Sequence, residues 1–141
     1  MMDELLVATV MVILTVIIHA FGIYALARLL RIEAREEAQE HIHPLSPRGI
    51  AVTLGLVLGL FALHGLEIWI YAFCYLIVGA LPNLNEAVYF STITYSTTGY
   101  DDESIATAWR MIGAVEGING VILLGWSTAF FVTVVARMSR A

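Results

Sequence analysis

The sequence predicts an all-α integral membrane protein, with three transmembrane helices and one short helix that enters the membrane and turns back. Three observations carry this. Of the 141 residues, 60% are apolar and only 13% are charged, with a mean hydropathy of +0.84; a soluble domain averages about 45–50% apolar and about 25% charged. Three apolar stretches each exceed the ~20 residues that a helix needs to span hydrocarbon. The segment between the second and third is too polar and too short to span. The charge balance and motifs exclude other classes. All 7 basic residues are Arg, against 12 acidic ones, for a net charge of −5, whereas a nucleic-acid binder needs a basic face. The single cysteine, Cys74, excludes a disulfide framework or a thiolate metal site within one chain. No glycine-rich phosphate loop or nucleophile elbow occurs, and no room remains for a second domain.

The first stretch, about 5–30, carries no charge before Arg28. Its acidic start (Asp3, Glu4) and its length are unlike a signal peptide, which has a basic n-region and a short apolar core. Residues 1–31 are therefore read as a retained helix. Residues 32–48 form a polar cytoplasmic linker, its first half charged like an exposed helix leaving the membrane. Pro44 and Pro47 break it, with Pro47 just before the second helix, where a missing N–H costs little. His41 and His43 are read as solvated linker residues rather than metal ligands.

The second helix, 49–81, contains His64 and Glu67 and is ended by Pro82 and Asn83. Asn85 is expected to cap a short helix over 85–95, with Glu86 favourably placed in its first turn. At 1.5 Å per residue that helix is only about 15 Å long and cannot cross. Residues 96–102 are expected to return as an extended, hydroxyl- and glycine-bearing strand. Non-helical backbone at membrane depth survives only where protein or a water-filled cavity satisfies it, so this is a re-entrant loop. The third span, 107–138, contains Glu116 and Asn119.

Arginine placement predicts the orientation. With three spans, Arg28, Arg31, Arg35, Arg48, Arg137 and Arg140 share one side, and Arg110 alone takes the other. Basic residues stay cytoplasmic, so the N-terminus is expected outside and the C-terminus inside a multi-pass protein of the cell membrane. Trp69, Tyr71, Tyr75 and Trp109 flank the outer segment as an interfacial aromatic belt would.

The run from Tyr89 to Asp102, YFSTITYSTTGYDD, resembles the pore helix and selectivity filter of potassium channels, whose signature reads TTVGYGD. Ser96 stands for the first Thr, while Thr97, Gly99, Tyr100 and Asp102 match outright. The resemblance covers the two-helix pore module, about 49–138, and the first helix is an addition to it. It implies a pore domain over 49–141, with outer helix 49–81, pore helix 85–95, filter 96–102 and inner helix 107–138. It implies a homotetramer in membrane lipid. Carbonyls of Thr97, Thr98, Gly99 and Tyr100, with the Thr97 hydroxyl, would replace the hydration shell of K+. Asp101 and Asp102 would ring the mouth with negative charge, and Gly117, Gly120 and Gly125 would stand where the family has its bending glycine. Potassium is then the permeant ion, with no cofactor and no enzymatic activity expected. Two departures stand out. Thr98 replaces Val, and Asp101 replaces the second glycine, a position the family holds in a left-handed conformation that Asp and Asn visit most readily among other residues.

Four ionisable side chains lie within the apolar helices: His19, His64, Glu67 and Glu116. Such residues usually face a partner or a cavity. His19 and His64 both fall near the midplane, roughly 20 Å from their helix starts. Glu67 shares a face with His64, and Asn119 with Glu116. All are expected to meet behind the filter at a similar level. Three readings stand: a permanently satisfied polar network, a proton-sensitive gate, or a metal site. Gly113-x-x-x-Gly117 and Gly55-x-x-x-Gly59 permit close helix approach. Ser127 and Thr128, at the cavity level and below, either line water or, as is common for hydroxyls in membrane helices, bond their own backbone.

The sequence thus predicts a potassium-selective channel without a voltage sensor, since no helix carries spaced arginines, and without a following cytoplasmic ligand-binding domain. A non-selective monovalent cation channel and a non-conducting channel-like membrane subunit remain as alternatives. A membrane enzyme is the weakest, because the ionisable residues form no recognisable catalytic set.

Overall fold

The computed structural model describes residues 2–36, 46–99, 101 and 103–138, and every regular element among them is helical. These are α1 (Met2–Glu36), α2 (Pro47–Ile77), α3 (Leu84–Tyr95) and α4 (Arg110–Met138), the last entered through a single 3-10 turn at Thr107–Trp109. Three spans, Met2–Leu29, Pro47–Ile77 and Thr107–Arg137, are long and apolar enough to cross a membrane. At 12 residues, α3 reaches only about 18 Å and lies against α2 and α4, while α1 packs on α2 and α4. His41, His43 and Pro44 lie outside the described residues.

Local chemistry sets each boundary. Pro47 occupies the first turn of α2, and the Ser46 hydroxyl accepts the Gly49 N–H at 3.0 Å, an ordinary N-cap. The end of α2 comes earlier than Pro82 and Asn83 suggested. Gly79, at φ 68°, takes a left-handed conformation, its N–H bonding Leu76 O, while the Ala80 N–H reaches Tyr75 O at 2.8 Å. This Schellman closure needs a residue with no steric penalty at positive φ. The cap of α3 is Asn83 rather than Asn85. Asn83 Oδ1 accepts the Glu86 N–H at 3.0 Å, and its Nδ2 donates to the Glu86 carboxylate at 2.9 Å. Because α2 stops early, the turn is complete by Pro82, and Asn85 falls inside the new helix.

The buried stripe of α2 runs through Leu56, Leu60, Leu63, Glu67, Tyr71 and Tyr75. Tyr71 and Tyr75 are therefore not members of an interfacial belt; both are fully buried within the chain. Phe90 of α3 stands edge-on to Tyr75 at 5.2 Å. The opposite faces of α1 and α2 expose large apolar side chains such as Phe21, Leu58 and Phe61, as lipid-facing surface requires.

Two knob-and-groove contacts join α1 to α2. Leu63 lies over Gly22 and Leu26 over Gly59, each so close that a Cβ on the glycine would meet the leucine at 2.4 or 2.5 Å. Gly55, the other half of the small-residue pair on α2, has nothing within 4 Å of that position.

Candidate functional site

The re-entrant segment begins at the C-terminus of α3. Residues 96–99 do not run out as an extended strand. Instead the Ser96 N–H bonds Thr92 O at 3.1 Å, the Thr97 N–H bonds Thr94 O at 3.1 Å and the Gly99 N–H bonds Ile93 O at 3.2 Å. The last carbonyls of a helix have no partner inside it, and the following chain turns back to supply them. Thr97 does so at φ 57°, a left-handed conformation that is a genuine outlier for a β-branched residue. Ser96 Oγ and Thr98 Oγ1 lie 2.9 Å apart, and residues 96–99 are exposed. Tyr100 and Asp102 lie outside the described residues.

A hollow of about 500 Å³ opens beside this turn, lined by Thr94, Thr97 and Gly99 and, on α4, by Gly113, Ala114, Gly117, Ile118 and Val121. Thr94 Oγ1 is buried there with no hydrogen-bond partner among the described residues. Just beyond, Gly120 lies against the end of α3, and a Cβ there would come within 2.1 Å of Tyr95 O. Gly117 is looser, its position 3.6 Å from Thr94 O, and Gly125 faces open space.

Asp101 closes a turn of its own. Its carboxylate accepts the Ser104 hydroxyl and the N–H of Glu103 at 3.1 Å. The Ser104 hydrogen bond, followed by the backbone ones, holds this carboxyl below the usual carboxylate range.

Behind the turn, the five polar residues predicted to share one level occupy three. Glu116 is highest on α4, and its fully buried carboxylate accepts the Tyr75 hydroxyl and lies 2.5 Å from Ser91 Oγ. Ser91 Oγ also lies 2.9 Å from Ile68 O. Below it, Asn119 Nδ2 donates to Thr15 Oγ1 at 2.8 Å and to the Tyr71 hydroxyl at 3.2 Å. About 12 Å further down α4, at 1.5 Å per residue, Ser127 marks the third level.

That third level brings all four helices together. His19 Nδ1 of α1 lies 2.9 Å from Glu67 Oε1, and His64 Nδ1 lies 3.3 Å from Glu67 Oε2 on the same helix. Tyr95, the last residue of α3, donates its hydroxyl to Glu67 Oε2 and sits 3.0 Å from His64 Nδ1. Ser127 Oγ faces both rings from behind, 2.9 Å from His64 Nε2 and 3.3 Å from His19 Nε2. Trp126 covers His19, with ring centroids 5.2 Å apart. Ser127 is thus a partner to two histidines rather than to its own helix, while Thr128 bonds Leu124 O. Sequence reasoning missed Thr15, Tyr71, Tyr75, Ser91 and Tyr95 as polar partners. For Tyr71 and Tyr75 a signal existed, since they follow Glu67 at successive intervals of four on one helical face.

Residues 59–137 match the model of a protein family described as ion channel. No curated protein and no solved structure matches the chain.

Proposed function

Because the chain belongs to the ion channel family, we propose that it conducts potassium ions passively, as a homotetramer in the cell membrane. The filter in this reading is made by the carbonyls of Thr97, Thr98, Gly99 and Tyr100 with the Thr97 hydroxyl, which stand in for the water around K+. Asp101 and Asp102 draw cations to its mouth. One observation supports it above others: a helix too short to cross sits between two spans and is followed, two residues past its end, by an exposed, left-handed Thr97. Such backbone costs of order 1–3 kcal/mol, and residues strained in this way cluster at ligand clamps and active sites. Each chain supplies one wall, so four copies surround the axis. The open hollow flanked by Thr94, Thr97, Gly117 and Val121 is then the flank that a neighbouring copy closes. The arginine bias assigns the N-terminus outside and the C-terminus to the cytoplasm.

Reconstituted liposomes test this directly. Under opposed potassium and sodium gradients, the reversal potential is expected to follow potassium, with block by barium. The absence of any flux would leave a channel-like subunit that does not conduct. One observation favours a non-selective cation channel instead: Asp101 stands where the signature has glycine, and its carboxylate is tied into a local turn with Glu103 and Ser104. A reversal potential near zero would select that reading.

A further inference from the structure

Among the described residues, His19, His64 and Glu67 form a group of possible metal ligands in which one ligand atom from each lies within 4.8 Å of the others. With both imidazoles neutral, no placement of the hydrogens satisfies every close contact of this group at once. Two neutral imidazoles carry one N–H each, and a hydroxyl has a single hydrogen to give. If both ring hydrogens sit on Nδ1, toward Glu67, two Nε2 lone pairs face the one hydrogen of Ser127. If both sit on Nε2, Ser127 accepts both and two Nδ1 lone pairs face the carboxylate. Of the mixed arrangements, one sets the His19 Nδ1 lone pair against Glu67 Oε1, and the other leaves the His64 Nδ1 lone pair and Glu67 Oε2 sharing the one Tyr95 hydrogen. Each case also buries a net charge of −1 at membrane depth, which is costly unless compensated.

The arrangement with both hydrogens on Nε2 is the one a metal ion completes. Two Nδ1 atoms and the Glu67 carboxylate then converge with free lone pairs. The His19 Nδ1 lies 2.9 Å from one oxygen of that carboxylate and the His64 Nδ1 3.3 Å from the other, and one ligand atom from each residue lies within 4.8 Å of the others, against roughly 3.3 Å between ligands of a tetrahedral zinc ion held at about 2.0–2.1 Å. The ring centroids are 5.3 Å apart, close enough for both imidazoles to reach one ion. Ser127 Oγ receives both Nε2 hydrogens, and such an outer contact fixes the tautomer and orientation of metal-binding histidines. The His64 side chain is 13% exposed, whereas His19 and Glu67 are closed off, so entry is from the His64 side.

We infer that His19, His64 and Glu67 form a binding site for a zinc-class divalent ion, with Ser127 orienting both imidazoles and the Tyr95 hydroxyl beside the fourth position. Two imidazoles and one carboxylate with a position left over suit zinc and its neighbours rather than calcium or magnesium. The ion would join α1 to α2 next to the last residue of α3. Binding at this site does not depend on whether the chain conducts.

The test uses the purified full chain in detergent, loaded with Co2+ as a spectroscopic stand-in for zinc and then desalted. Wild type is expected to retain about one equivalent per chain and to show the intense visible bands of four-coordinate cobalt. Replacing both linker histidines (His41→Ala with His43→Ala) is expected to leave the spectrum unchanged, whereas Glu67→Gln and His19→Gln abolish it. The inference is overturned if folded wild type retains no cobalt, or if the bands vanish with the linker histidines and survive Glu67→Gln. The missing charge would then be a proton. Should Glu67→Gln not fold, the wild-type and linker-variant spectra decide the matter between them. Ion flux measured on metal-free protein tests the channel reading separately.

Discussion

Replacing Gly120 by alanine should disrupt the base of the re-entrant loop, whereas the same change at Gly117 or Gly125 should not. A Cβ at position 120 would stand 2.1 Å from Tyr95 O, 2.9 Å from its carbonyl carbon and 3.1 Å from its Cα. Ordinary contact begins near 3.4 Å, so α3 and α4 must part there by about 1.3 Å. The obstacle is backbone, which has no rotamer to yield, so the cost lies at the upper end of the ~1–3 kcal/mol typical of overpacking. Against this, alanine gains about 1 kcal/mol over glycine in a helix interior. At Gly117 the nearest atom is 3.6 Å away, and at Gly125 nothing lies within 4 Å, so only the gain remains. The gain is common to all three and cancels, so the variants should separate by the overpacking cost alone, about 2–3 kcal/mol. Thermal unfolding in detergent should show Gly120→Ala well below wild type, with Gly117→Ala and Gly125→Ala at or above it. In the proposed channel, potassium efflux from liposomes should fall in Gly120→Ala and not in Gly125→Ala. If these glycines serve instead as interchangeable bending points, all three variants slow efflux alike and none loses stability selectively; that result would refute the contact argument.

Four further outcomes follow from the same geometry. Glu116→Ala strands the Tyr75 hydroxyl and weakens the hold on Ser91, at about 1–3 kcal/mol per buried group left unpaired; a lowered unfolding midpoint, partly restored by Glu116→Gln, checks it. Asn83→Ala removes the cap of α3 and should cost about 0.5–2 kcal/mol, read by the same unfolding assay. Gly79→Ala forces a side chain into φ 68° and should cost roughly 1 kcal/mol, detectable in the same way. The Asp101 carboxyl is held below its ordinary range, first by Ser104 and then by the backbone, so the charged form favours the turn. That contribution is complete above the ordinary carboxylate pKa of about 3.9 and is lost as pH falls through the depressed value. Carboxyl NMR should show Asp101 titrating low in wild type and nearer the ordinary value in Ser104→Ala.

The spans were legible because hydrocarbon imposes a minimum length that no other environment demands, and the apolar runs exceed it. The short helix was legible because residues 85–95 lie between polar ends too close for a crossing. The exact caps were less so. Asn83 and Asn85 are chemically equal candidates, and only the early stop of α2 at Gly79 decides between them. Aromatic residues near a polar segment read as a belt, yet Tyr71 and Tyr75 turned inward because Asn119 and Glu116 offer their hydroxyls partners. Depth arithmetic brought His19 near His64 correctly. It could not bring in Tyr95 and Ser127, since partners 28 and 63 residues apart leave no local periodicity to read.

The first helix lies outside the region that matches the family, yet it belongs to the same packed unit. Two oily helices gain little by meeting in lipid, because the lipid is as apolar as they are; small residues and polar contacts must supply the association. The inward face of α1 carries several such residues. Ala8, Met11, Thr15 and His19 are buried on it, and Gly22 and Leu26 continue the same stripe one and two turns on. Four of them meet a complementary feature of the matched region: Thr15 receives Asn119, His19 reaches Glu67 and Ser127, Gly22 admits Leu63, and Leu26 fills the space over Gly59. Thr15 and His19 stand at the levels of two of the buried polar groups that α2 and α4 carry. Without α1, Glu67 would lose a partner beside its carboxylate and Asn119 would lose its Thr15 acceptor, both in hydrocarbon where no water substitutes. The polar side chains of α2 and α4 are therefore cut to fit a third helix, and the packed unit among the described residues includes all four helices rather than the matched region with an attached anchor.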